Sequence, residues 1–180
     1  MALELANQEE AELLSVISDV KGFLKRPEGI PAYVSKEELF GELSKIVKSH
    51  NSVSTEKKVE AIEVSGQLLK AISSRKYRRR NSHVSTDVTS CLDIVIPTVI
   101  LQLGSRNSGV SQASLKLIQQ CLQNDDQNLL DDTIEQIAGN GIRHKSDKIS
   151  HETMKLVPGI YAPEIEVMMK NDWQKLIQSS

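Results

Sequence analysis

Four histidines, two cysteines and two aspartate doublets are the residues of this sequence best suited to binding a metal or moving a proton. Their spacing assembles neither site. His50, His83, His144 and His151 are scattered, and no carboxylate motif links His144 to His151. Both read as solvated loop histidines. Cys91 and Cys121 lie in apolar, helix-periodic runs with no histidine at zinc-ligand spacing, so they read as buried, reduced thiols. Asp125-Asp126 and Asp131-Asp132 flank the start of a helical run, where acids favour the helix macrodipole. Gly139-Asn140-Gly141 is too short for a phosphate loop and closes a helix instead of opening one. No nucleophile elbow and no His-Glu-x-x-His pattern occurs. The expectation is a non-enzymatic chain with no cofactor, no metal and no small-molecule substrate.

Basic and polar residues in turns carry more information. Three short turns separate helical runs: His50–Ser54, Ser105–Ser108 and Arg143–Lys148. If the runs stack in register, the turns line one edge. Asn51, Ser52, Lys57, Arg106, Asn107, His144, Lys145 and Lys148 would then form a basic, polar ridge that meets an acidic protein surface. Turns are polar in any protein, so plain solvation competes with this reading. A second basic stretch, Arg75, Lys76, Arg78, Arg79 and Arg80, lies in the long connector Ser73–Thr86. That connector lacks an apolar stripe and reads as a mobile segment over 73–86. A solvated linker, contact with an acidic partner, and nuclear localisation or nucleic-acid contact all fit it. Arg79-Arg80-Asn81-Ser82 also matches a basophilic kinase site.

The elements that must position these turns are helices. The unit 108–122 places Val110, Ala113, Ser114, Leu117, Ile118 and Cys121 on one face of a 3.6-residue period. A second apolar run, 87–103, precedes it across Gly104–Ser108. Pro97 inside that run implies either a kink or two short helices meeting at Ile96. A first helix spans about Gln8–Leu24, with Leu13, Ile17, Val20 and Leu24 facing inward. The pair 36–48 and 55–72 follows. Ser35 caps its first helix and Thr55 its second; Leu39, Leu43, Ile46 and Val47 line one, and Val59, Ile62, Leu69 and Ile72 the other. A third pair, 129–142 and 149–160, carries Ile149, Thr153, Leu156 and Val157 in its second helix. A last helix opens near Pro163 and has no partner, which suggests a piece of a longer array.

Composition narrows the class further. Hydrophobic residues make up 39% of the 180, and aromatics only 3%, so Leu, Ile and Val must fill the core. That suits helix-on-helix layers. A formal net charge of −2 argues against a whole-domain grip on nucleic acid. The acidic N-terminus lacks a signal pattern, and the richest apolar stretch, Cys91–Leu103, is too short to span a membrane. The expected fold is all-α: an α-solenoid of at least three stacked antiparallel helix pairs, without strands.

Helix pairs with such turns resemble HEAT repeats, and more narrowly the TOG domains of microtubule regulators. The resemblance rests on LDIVIPTVILQLGSRNSGVSQASLKLIQQCL (92–122) and IEQIAGNGIRHKSDKISHETMKLV (134–157). With KEELFGELSKIV (36–47) and EKKVEAIEVSGQLL (56–69) ahead of them, the order is most similar to the N-terminal TOG domain of the crescerin family. It covers roughly 36–160. It implies a TOG-like HEAT-repeat domain over 1–180 that binds tubulin or the microtubule lattice, in the cytoplasm and cytoskeleton or, more narrowly, the cilium. One departure matters. Tubulin-polymerising TOG domains place a Trp in the first turn, whereas that turn here is His50–Ser54 and the sole Trp is Trp173. Lattice binding, weak binding or a general scaffold role with a non-tubulin partner are the readings this leaves.

Overall fold

A computed structural model describes residues 2–26, 29–31, 33–49, 53–73, 84–123 and 127–156. Among the described residues every regular element is helical. They are α1 (Ala2–Lys25), α2 (Lys36–Lys48), α3 (Thr55–Ser73), α4 (Val84–Leu103), α5 (Ser108–Leu122), α6 (Gln127–Ile137), a π-helical turn (Ala138–Ile142) and α7 (Asp147–Met154). No described helix is long and apolar enough to cross a membrane.

Local sequence accounts for most boundaries. Ser35 opens α2 by accepting the Glu38 N–H at 3.2 Å, satisfying one of the orphan donors of the first turn. At α3 the cap is one residue earlier than expected. Ser54, not Thr55, accepts the Lys57 N–H at 3.4 Å, and Thr55 is already helical. Asn107 caps α5 by accepting from Gly109 and Val110 at 3.0 and 3.3 Å. α1 begins earlier than Gln8, and α4 begins at Val84 instead of 87. The remainder of the basic connector, 74–83, lies outside the described residues, as do Val157, the last helix and Trp173.

Pro97 does not divide its run. α4 is one helix of 20 residues with the proline inside. Thr98 Oγ1 donates to the Ile94 carbonyl at 2.8 Å, so a buried hydroxyl adds a bond beside the position where proline lacks an N–H.

The helices pack as neighbours of the same rank. α2 and α3 lie together, as do α4 and α5; α2 also packs on α4, α3 on α5, and α4 on α6. α4 is therefore the hub, and Leu92, Ile96 and Ile100 on it are fully buried. The α5 stripe follows its period: Val110, Ser114, Leu117, Ile118 and Cys121 are buried, with Ala113 partly so. Phe40 completes the α2 face, while Leu39 beside it is only half-buried. Two bonds fix α4 against α6. Thr89 Oγ1 donates to Asp132 Oδ2 at 2.8 Å, and Gln136 Nε2 donates to Asp93 Oδ1 at 2.7 Å. Both join residues 43 apart, one turn along each helix, so the two helices run parallel.

Candidate functional site

Each pair closes through bonds from the second helix to the end of the first. Ser111 Oγ donates to the Leu103 carbonyl at 3.1 Å, and Ser150 Oγ donates to the Ile142 carbonyl at 2.8 Å. Both bonds span eight residues. In the first pair Lys58 has the same role: its ammonium binds the Ser49 carbonyl. These groups satisfy carbonyls that a helix end leaves without a partner.

The turns also bind one another. Asn107 Nδ2 donates to Thr55 Oγ1 at 3.3 Å, joining the second turn to the first. Lys148 Nζ donates to the carbonyls of Gly104 and Ser105 at 2.9 and 3.1 Å, joining the third turn to the second. Ile149 packs against the same place: a Cβ on Gly104 would lie 2.7 Å from Ile149 Cγ1. The start of α3, the α4–α5 turn and the start of α7 therefore form one continuous edge.

The edge separates the expected ridge residues into two groups. Lys57, Asn107, His144 and Lys148 are bonded to groups of the protein itself, although Lys57, Asn107 and Lys148 are exposed. Lys57 Nζ pairs with Glu60 Oε2 at 2.7 Å, and Lys21 binds the same carboxyl from α1. Lys21 and then Lys57 hold Glu60 below the ordinary carboxylate value, because both donate hydrogen bonds to its charged form. His144 Nδ1 accepts the Ser146 N–H at 3.0 Å, which requires a lone pair on that nitrogen. Ser146 itself gives α7 no side-chain cap, so His144 bonds the backbone at that helix start instead.

Arg106 and Lys145 form the second group. Both are exposed and carry no ion pair among the described residues. Asn51 and Ser52 lie outside the described residues. The free positive charge of the edge thus sits on its second and third turns. At the start of α3, beside the first turn, Glu56 and Glu60 stand near Lys57 and Lys58.

Sequence reasoning assigned four internally bonded residues to a partner, and it missed Thr55, Lys58, Ser111 and Ser150 as members of the edge. The equal spacing of Ser111 and Ser150 from the ends of their preceding helices was a visible signal. The partners of Lys57 and Lys148 are set by packing between helices, which no local pattern reports.

Elsewhere, Cys91 and Cys121 are buried and outside any disulfide, and burial pushes the Cys121 thiol up to about 12. Among the described residues no group of three His, Cys, Asp or Glu side chains could hold a metal ion. No protein-family model matches the chain, and no curated protein or solved structure matches it at a significant level.

Proposed function

We propose that this chain is a HEAT-type array of TOG character, without enzymatic activity, that docks on tubulin in the microtubule lattice through its edge of turns. The observation carrying the proposal is that edge. Its turns are bonded in sequence, and Arg106 and Lys145 stand exposed along it. Repetition supports the solenoid half of the reading. The 43-residue offset between α4 and α6 falls within the spacing of about 40–47 residues for HEAT and armadillo units. The paired serine bonds and the packing of α2 on α4 and α3 on α5 point the same way.

The resemblance supplies the partner, since tubulin presents a strongly acidic surface. Exposed cations facing such a surface set encounter and register more than raw affinity. Two free cations, with no Trp in the first turn, favour weak contacts multiplied along a lattice over tight capture of a free dimer. The cytoplasm, the cytoskeleton and, more narrowly, the cilium are the matching locations.

Co-sedimentation with microtubules beside size exclusion with free tubulin tests this. The chain should pellet with microtubules, release as salt rises because exposed charges are screened over about 8 Å at physiological ionic strength, and fail to co-elute with free tubulin. Reversing both Arg106→Glu and Lys145→Glu should abolish pelleting and leave the circular dichroism spectrum unchanged. Tight, salt-insensitive binding to free tubulin that survives the reversal would overturn the edge as the docking surface. Binding to neither form would leave a general helical scaffold with a non-tubulin partner.

A further inference from the structure

Lys148 has the charge and location of a docking residue and is exposed, yet its ammonium is already engaged by the protein's own backbone. It spans the gap between two turns and lies on the carbonyls of Gly104 and Ser105. These carbonyls end α4, where the macrodipole concentrates negative charge, so a cation there is favoured. Beside it, Ile149 occupies space that exists only because residue 104 has no Cβ. A polar bond and an apolar contact from consecutive residues therefore pin the start of α7 to the α4–α5 turn.

We infer that Lys148, with Gly104 as its receptor, is a positioning residue: it clasps the third turn to the second and fixes the separation of Arg106 from Lys145. The clasp rests on the docking reading for its purpose, but its geometry can be tested alone. Two exposed cations recognise an acidic surface as a pair only when their spacing is held. A loosened spacing makes each encounter lose conformational freedom that the clasp has already removed. Lys148 thereby contributes to binding without touching the partner.

Two measurements separate this from a direct contact. Spin labels on Ser108→Cys and Asp147→Cys would report the separation of the turns, the native thiols being buried. A narrow distance distribution should broaden in Lys148→Met and in Gly104→Ala, which disturbs Ile149 while keeping every charge. Lys148→Arg should restore it. An unchanged distribution in both disrupting variants would overturn the clasp. In microtubule co-sedimentation, Gly104→Ala, which keeps every charge, should weaken binding several-fold while retaining the wild-type salt dependence. Arg106→Ala should flatten that dependence by removing a charge from the interface. If Gly104→Ala binds as the wild type does while Lys148→Met binds weakly, Lys148 acts through its charge on the partner and the inference fails. If the wild type does not pellet, the docking reading falls, and the distance measurement alone decides the clasp.

Discussion

The first two helix pairs and the third are built from the same kind of unit but held by different forces. α2–α3 and α4–α5 are long helices joined through broad aliphatic faces, with Phe40, Leu43, Ile62, Leu68, Leu92, Ile96 and Ile118 excluded from solvent. The third pair is shorter. α6 passes into a π turn at Ala138–Ile142, and α7 has only eight residues. Close approach there depends on glycine: a Cβ on Gly141 would fall inside contact distance of the Thr153 side chain, 2.8 Å from its Oγ1. α7 also packs mainly on the π turn and α4, whereas α5 packs on both α3 and α4. Relative to the offset between α4 and α6, the closing carbonyl of Ile142 comes about one turn early. The comparison shows how a helix pair can keep its edge bonds while its interior shortens. The serine bond recurs in the third pair and Lys148 takes over the turn-to-turn link that Asn107 makes before it, although the broad apolar face does not recur.

Breaking the shared apolar body should have the largest effect. Leu117→Ala, at a 2% exposed position between α5 and its neighbours, should cost about 2–5 kcal/mol and lower the single unfolding transition. A chemical denaturation midpoint equal to wild type would show that the two long pairs do not share one core. Disturbing the third pair should be smaller and local. Gly141→Ala places a methyl group against Thr153 and should cost about 1–3 kcal/mol. Hydrogen exchange should accelerate over α7 while α3 and α5 stay protected. Equal acceleration in all three would erase the distinction between the units.

The smallest effect concerns the opposite end of the edge. Glu60 is held below its ordinary value of 4.5 by Lys21 and Lys57. A depressed folded value stabilises the protein above the unfolded value and is lost as pH falls from about 4.5 through the folded value. Glu60→Gln should therefore reduce the acid sensitivity of stability in that window and leave exchange in α7 unaltered. Thermal melts from neutral pH into that window would read it. An unchanged acid slope would mean that Glu60's ion pairs with Lys21 of α1 and Lys57 of α3 are open in solution.

What the residues disclosed beforehand depended on distance along the chain. The α5 stripe was legible because one period repeats over four turns of a single helix. Phe40 was missed because Leu39, its neighbour, fits the same period, and only packing decides which of the two is covered. Asn107 carried a cap signal, a short polar residue just before the first periodic apolar one. It read as a turn residue with a surface role. A proline in α4 suggested a break, yet burial of Val95, Ile96, Val99 and Ile100 around it keeps the helix whole. The π turn was visible only as weakness at Gly139 and Gly141. The sorting of lysines into bonded and free ones required knowing which helix ends lie side by side.

The two bonds between α4 and α6 do something the apolar core cannot. Aliphatic faces of two parallel helices look much alike after a slip of one turn, about 5.4 Å. Leucines and isoleucines would meet other leucines and isoleucines at little loss. Thr89–Asp132 and Gln136–Asp93 are not interchangeable in that way. A one-turn slip in one direction sets Thr89 opposite Gln136 and exchanges Gln136 for Asn140 opposite Asp93; the reverse slip brings the two aspartates face to face. These pairs act as a vernier: they break the translational symmetry of a periodic interface by penalising the slip that would set like charges together.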